Sequence, residues 1–344
     1  MKKQDLNKYG LPVGTDLDQD LHNKFSHYQA NRRAFMRGFA ALGAGLVGSA
    51  MLSGCNGGSS DAVADDVPSG PTDAQVLNFA LNLEYLEAEF YLIAATGMGL
   101  NTSQTSGLGS LGMVTGGQQV MFDTPLIEQY ANEIAGDERD HVDFLRAALG
   151  SAAVARPAID FVDSFTAAAR AAGLIDNTQT FDPFANENNF LLAAYIFEDV
   201  GVTAYKGASP FISNKTFLEA AAGLLAAEAY HAGLVRSILS ARGVDAPGLI
   251  AAANAISDAR DSLDGDADID QGLASRMVDL NGASYTASNI VPLDANGLAY
   301  SRSPGQVLNI VYLNPNAVSA GGFFPDGVNG DIRTSAGASP ATPA

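Results

Sequence analysis

Residues 137–146 read DERDHVDFLR and residues 227–236 read AEAYHAGLVR. The two share a frame, in which Glu138-x-x-His141-x-x-Phe144-Leu145-Arg146 runs parallel to Glu228-x-x-His231-x-x-Leu234-Val235-Arg236. On an α-helix, positions i and i+3 lie on one face about one turn apart, so each carboxylate and its imidazole can reach the same small volume. The chain has ten Glu in 344 residues. A Glu at any chosen position is then roughly a 3% event, and both matches together roughly one in a thousand. Of the four histidines, His22 and His27 fall near the N-terminus, so the two frames use both of the others.

Each frame sits in a stretch with helical punctuation. Thr72 followed by Gln75 is a capping box, and Phe79, Leu83, Leu86, Phe90 and Ile93 form an apolar stripe that stops at Gly97 and Gly99. Thr124-Pro125 opens a second helix that runs to about Leu149. After a long connection over 151–186, with a short helix near 162–172, a third helix covers about 187–206 and ends at Gly207 and Pro210. A fourth covers about 214–242 and ends at Gly243. These are four helices of about 20 residues or more. From 244 onward the chain is rich in Gly, Asp and Asn, which points to a mostly irregular extension. A short helix is expected over 304–312, behind the capping box of Ser303 and Gln306.

The other two helices should each add a carboxylate. Glu198 is the one interior Glu of the third helix, in the apolar run AAYIFEDVGVTAY, where it is costly unless paired or bound to metal. The first helix offers Glu84, Glu87 and Glu89. Tyr205 follows Glu198 by seven residues and Tyr91 follows Glu84 by seven. That matched spacing favours Glu84, with Glu87, one turn on, as the alternative or additional ligand. The halves look like copies, so a bundle with a pseudo-two-fold axis would set two half-sites face to face. Their ligands would be Glu84, Glu138, His141, Glu198, Glu228 and His231. Two surface salt bridges would also explain the ExxH pairs, but leave the matching Glu84 and Glu198 without a reason.

Helices carrying Glu, ExxH, Glu and ExxH in order resemble the ferritin-like di-iron or di-manganese carboxylate proteins. LNLEYLEAEFY, DERDHVDFLR, FEDVGVTAY and AEAYHAGLVR, with SPGQVLNIVY and GGFFPDGVNG near the C-terminus, are similar to a ferritin-like family that includes desiccation-related proteins. The resemblance covers roughly 72–330. It implies an all-α, ferritin-like four-helix bundle over 72–243 with a C-terminal extension over 244–344, and a di-metal site. It implies little about the reaction.

Acidic side chains outnumber basic ones 38 to 19, a surface that repels nucleic acid. Arg32-Arg33-Ala34-Phe35 precedes the apolar FAALGAGLVGSAMLSG of 39–54 and then Cys55, the only cysteine. This resembles a twin-arginine signal over 1–54 that ends in a bacterial lipobox. It implies lipid on Cys55, a tether over 55–71, and export to the cell envelope. A periplasm-facing outer-membrane anchor is the preferred location, because Asn56 gives no inner-membrane signal. No P-loop, dinucleotide fingerprint or Cys cluster is present. The acidic run Asp264–Asp270 fails the calcium-loop pattern, with Ile269 where Gly is needed, and reads as solvated.

Four carboxylates and two imidazoles suit two Fe ions, or Mn in their place. Such a pair can exchange electrons with O2 or peroxide, which makes redox or stress protection the leading expectation. The alternative is a non-catalytic desiccation-protective protein whose metal is structural or vestigial. A storage cage fits poorly with a lipid anchor and a long extension. The sequence leaves the oligomeric state open.

Overall fold

The computed structural model describes residues 70–337. The signal-like segment, the lipobox with Cys55 and nearly all of the tether lie outside the described residues. The helices are α1 (Asp73–Thr96), α2 (Thr102–Thr105), α3 (Pro125–Leu149), α4 (Asp163–Ala171), α5 (Glu187–Ala208), α6 (Lys215–Gly243), α7 (Pro247–Asp264) and α8 (Pro304–Val311). The long helices α1, α3, α5 and α6 form the bundle, with α1 packed mainly on α3 and α5 on α6. No helix of the described residues is long and apolar enough to cross a membrane.

Local chemistry sets the helix ends. Thr72 and Gln75 close a reciprocal capping box at the start of α1, and Gly97 ends it in the left-handed region at φ 77°. Ser303 and Gln306 do the same for α8. The third long helix, α5, ends at Ala208, between the Gly207 and Pro210 that mark its stop in the sequence. An added Cβ at Gly207 would meet the Arg302 backbone oxygen at 1.9 Å. Its missing side chain lets the extension cross the helix closely, where the Arg302 amide donates to the Thr203 carbonyl at 3.0 Å.

The long loop after α1 is held by the connection after α3. Strand β1 (Val114–Thr115) pairs in parallel with β2 (Ile159–Asp160). Asn329 of the extension donates to the carbonyls of Ser110 and Ala155 at 2.8 Å each, tying both segments down. At this end of the bundle Phe90 is fully buried among Phe161, Phe165, Phe184, Phe190 and Phe197, with ring centroids 5.4–6.0 Å away. Rings in edge and tilted contact add to the area that they bury. Phe90→Ala is expected to cost about 3–5 kcal/mol, read as a lower urea midpoint with an unchanged slope; a loss under about 1 kcal/mol would mean that the cluster collapses around the gap.

The extension is mostly irregular but carries more structure than its composition announces. The 18-residue α7 buries Leu249, Ala253 and Ile256 on one face. Strands β3 (Arg276–Leu280) and β4 (Ala283–Ala287) form an antiparallel hairpin. Its turn is Asn281-Gly282, both at positive φ, 58° and 80°, as a two-residue hairpin requires. The acidic run is also divided. Asp266 and Asp268 are exposed, whereas Asp264 and Asp270 are buried, because Arg260 and Arg302 pair with them.

Candidate metal centre

One carboxylate-bearing face of each long helix points into the middle of the bundle. Glu84 comes from α1, Glu138 and His141 from α3, Glu198 from α5, and Glu228 and His231 from α6. All six are buried, and Glu138 and Glu228 have no exposed surface. Their donor atoms fall into two groups. Glu84, Glu138, His141 and Glu228 each bring an atom within 4.8 Å of the others, and so do Glu138, Glu198 and His231. Glu138 belongs to both. Its Oε2 lies 3.4 Å from His141 Nδ1 and its Oε1 lies 3.0 Å from His231 Nδ1. The imidazoles face each other with centroids 6.1 Å apart.

The tyrosines paired with the glutamates by spacing act across the bundle. Tyr91 of α1 donates to Glu198 Oε1 of α5, and Tyr205 of α5 donates to Glu84 Oε1 of α1. Each carboxylate thus has one oxygen tied by a phenol. The other oxygen of Glu84 lies 3.2 Å from His141 Nδ1, and the other oxygen of Glu198 lies 3.7 Å from His231 Nδ1. The arginines of the two frames follow the same pseudo-symmetry. Arg146 donates to Tyr85, next to Glu84, and Arg236 donates to Asp199, next to Glu198.

Glu87 is buried but belongs to neither group. Its carboxyl lines a cavity of about 20 Å³ with Leu83, Leu86, Val200, Gly201 and Phe323, which has room for a water-sized molecule. Glu89 is turned away, paired with Arg156 and accepting from the Leu100 amide at 3.2 Å.

Two contributors carry weak sequence signals. Asp137 stands directly before Glu138, and His231 Nε2 lies 3.3 Å from its Oδ2. A carboxylate there orients the ring and raises its basicity as a ligand. The matching position on α6 is Ala227, so the two halves differ at this point. Gly201 is the other, a glycine inside a helix, where it usually costs about 1 kcal/mol. An added Cβ there would come within 2.2 Å of Glu228 Oε2. The glycine makes room for that carboxylate.

The donor set fits a pair of cations. Both oxygens of Glu138 and of Glu228, Oε2 of Glu198 and Nδ1 of His231 are buried without a hydrogen bond of good geometry. Buried polar atoms left so are rare and call for an explanation. Four carboxylates balance two divalent ions in a site that excludes water.

Without metal, protons and imidazolium must do that balancing. Burial pushes Glu84 up to about 7 and Glu198 up to about 8, against the pull of His141 and His231 respectively. Burial, with the neighbouring carboxylates, holds Glu87 and Glu228 well above the usual range. Burial opposes charge on the histidines too, but is outweighed. Glu84 and Glu138 hold His141 up at about 12, and Glu198, Asp137 and Glu138 hold His231 up at about 10. Burial also raises Glu138, yet the two histidines bring it below its ordinary value.

Glu84 and Glu198 keep protons in the folded, metal-free protein up to pH 7–8, while the unfolded chain releases them near 4.3. The metal-free protein is therefore expected to lose stability as pH rises from about 5 to 8. The histidines act in the same direction, their contribution being full below about 6.5 and lost as pH climbs through their folded values. Metal displaces these protons, so the rise in melting temperature on adding Mn²⁺ or Fe²⁺ should grow over that range. A rise independent of pH would mean that the ions bind elsewhere.

Four helices that converge on a Glu and ExxH pair in each half define a ferritin-like bundle with a dinuclear-type carboxylate site. The ferritin-like domain profile matches residues 72–241, and the chain belongs to the ferritin-like family. It is 31% identical over 287 residues to the desiccation-related protein PCC13-62 of Craterostigma plantagineum, covering 82% of this chain and 90% of that one. It is 29% identical over 308 residues to the ferritin-like catalase Nec2 of Nesocodon mauritianus, covering 87% and 98%. No solved structure gives a significant match.

Proposed function

We propose that the bundle binds two redox-active ions, Fe or Mn, and uses them to consume hydrogen peroxide as an envelope stress-protective protein. The observation that carries this reading is the set of buried carboxylate oxygens without a hydrogen bond of good geometry, in two His-containing groups that share Glu138. Similarity to a protein named a ferritin-like catalase supports the choice of peroxide. The signal-like segment and Cys55 support export and lipid anchoring.

When bound, a pair of such ions supplies a two-electron reservoir, which one peroxide can fill and a second can empty, so that two peroxides yield two waters and dioxygen. The chain's own groups set the geometry. Glu138 would join the two positions, and Glu228 would close the first of them. Glu84 and Glu198 would each offer the oxygen that their tyrosine leaves free. His141 and His231 would cap the two ends, with Asp137 orienting the second. Apolar side chains line the small cavity and leave the Glu87 carboxyl as its one ionisable group.

The test is dioxygen release from peroxide by the purified protein reloaded with Mn²⁺ or Fe²⁺, beside a His141→Ala/His231→Ala variant. Expected is metal-dependent release that falls at least about 100-fold in the variant. Similarity to a desiccation-related protein favours the second reading, a protective protein whose metal is structural. Equal background release with and without metal, together with a large drop in melting temperature on chelation, would select it.

A further inference from the structure

The chain has seven methionines, of which Met98, Met113, Met121 and Met277 fall among the described residues. Methionine is among the residue types most often buried, because its flexible thioether fills gaps in a core. Here the preference is reversed. The four side chains are 71%, 80%, 80% and 64% exposed. Three of them follow α1 in the long loop that ends at Thr124, and the fourth lies on β3, where Thr286 Oγ1 donates to its sulfur at 3.6 Å.

The interior is the complement of this surface. Every buried hydrophobic side chain among the described residues is Ala, Val, Leu, Ile, Phe or Tyr. The chain has no Trp, and its one Cys lies outside the described residues. Every methionine among the described residues is therefore exposed and none is in the core. Packing gives no reason for this, since an exposed thioether fills no gap. Oxidation chemistry does. A buried methionine that becomes a sulfoxide turns polar and disrupts its surroundings, whereas an exposed one changes little around it.

We propose that Met98, Met113, Met121 and Met277 are sites of peroxide-driven sulfoxidation, which take up oxidant at the surface while the bundle and its centre stay intact. In each event a sulfur lone pair attacks one peroxide oxygen and the O–O bond breaks. The sulfur is oxidised to the sulfoxide, the peroxide is reduced, and its second oxygen leaves as water. Each chain can take up one oxygen per exposed sulfur. The inference goes beyond the peroxide reading of the metal centre and does not rest on it, because the thioethers react with or without metal.

The experiment treats the full chain, metal-loaded and metal-free, with hydrogen peroxide and follows each methionine by peptide mass mapping. Expected is one added oxygen at each of the four positions, at rates within about threefold of free methionine. The melting temperature should move by less than about 2 °C and metal content should hold. A rate more than about tenfold below free methionine at Met98, Met113 or Met121, or loss of fold or metal on oxidation, would overturn the proposal. A variant with all four changed to Leu should lose this uptake and keep the metal-dependent dioxygen release, which separates failure of one reading from failure of the other. Leu81→Met places a thioether at a fully buried position. Its oxidation should be at least about tenfold slower and should lower the melting temperature once complete; an equally fast and harmless oxidation there would remove the reason for a sulfur-free core.

Discussion

Glu138→Ala is expected to empty both metal positions at once. Its carboxylate is shared by the two groups, with one oxygen toward each histidine. The other residues belong to one group each. Elemental analysis of protein purified without chelator should fall from about two ions per chain to less than about 0.2. Glu219→Ala is the control, because Glu219 is exposed on the same α6 that carries Glu228 and His231. It should retain full metal content. Normal metal content in Glu138→Ala would place the ions elsewhere and sink the shared-carboxylate arrangement. Loss of only one ion would show that Glu138 serves a single position and that Glu228 or a solvent molecule joins the two.

Asp270→Ala should be among the most destabilising single changes in the extension. Asp270 Oδ1 accepts from Ser257 Oγ and Arg260 Nη2 at 2.7 Å each, and its Oδ2 accepts from Arg302 Nη2 at 2.9 Å. Arg260 also reaches Asp199 of α5 at 2.9 Å, Arg236 of α6 reaches Asp199 at 2.8 Å, and Arg302 reaches Asp264 of α7 at 2.5 Å. All six charged side chains are buried. Three guanidinium groups balance three carboxylates, and the removal of one carboxylate leaves an uncompensated cation inside. Breaking a buried set in that way costs about 3–5 kcal/mol, mostly as the penalty for the stranded charge. Urea unfolding measures it. Asp266→Ala, four residues away and exposed, should stay within about 0.5 kcal/mol of the parent. Equal effects at the two positions would mean that the network is open to water.

Much of the bundle could be read from neighbours along the chain. The capping box at Thr72 and Gln75, the stripe through Phe79 and Phe90, and Pro125 at the first position of α3 are short-range signals, and the helices begin where those signals stand. The spacing of each Glu and His also lies within one helical turn, so the inward faces of α3 and α6 were legible. The matched tyrosines favoured Glu84, and Glu84 is the α1 carboxylate that the structure brings into a group. Their partners were not legible, since each phenol reaches the helix of the other half. In the extension, Leu249, Ala253 and Ile256 keep helical spacing behind Pro247, and Asn281-Gly282 is a strong hairpin signal. The Gly- and Asp-rich composition around them obscured both.

Periodicity and capping are properties of adjacent residues, so sequence alone determined four long helices, their order, and which of their positions carry Glu and His. What holds Asp264 and Asp270 in the interior depends on arginines brought in from elsewhere, Arg302 among them. The same is true of the close crossing at Gly207, whose missing side chain matters because the Arg302 backbone passes there. Asp137 gains a role only because His231 arrives from another helix. A local code specifies a face, but the cost of burying a charge or closing a gap is set by what packs against that face, and only the tertiary structure decides that.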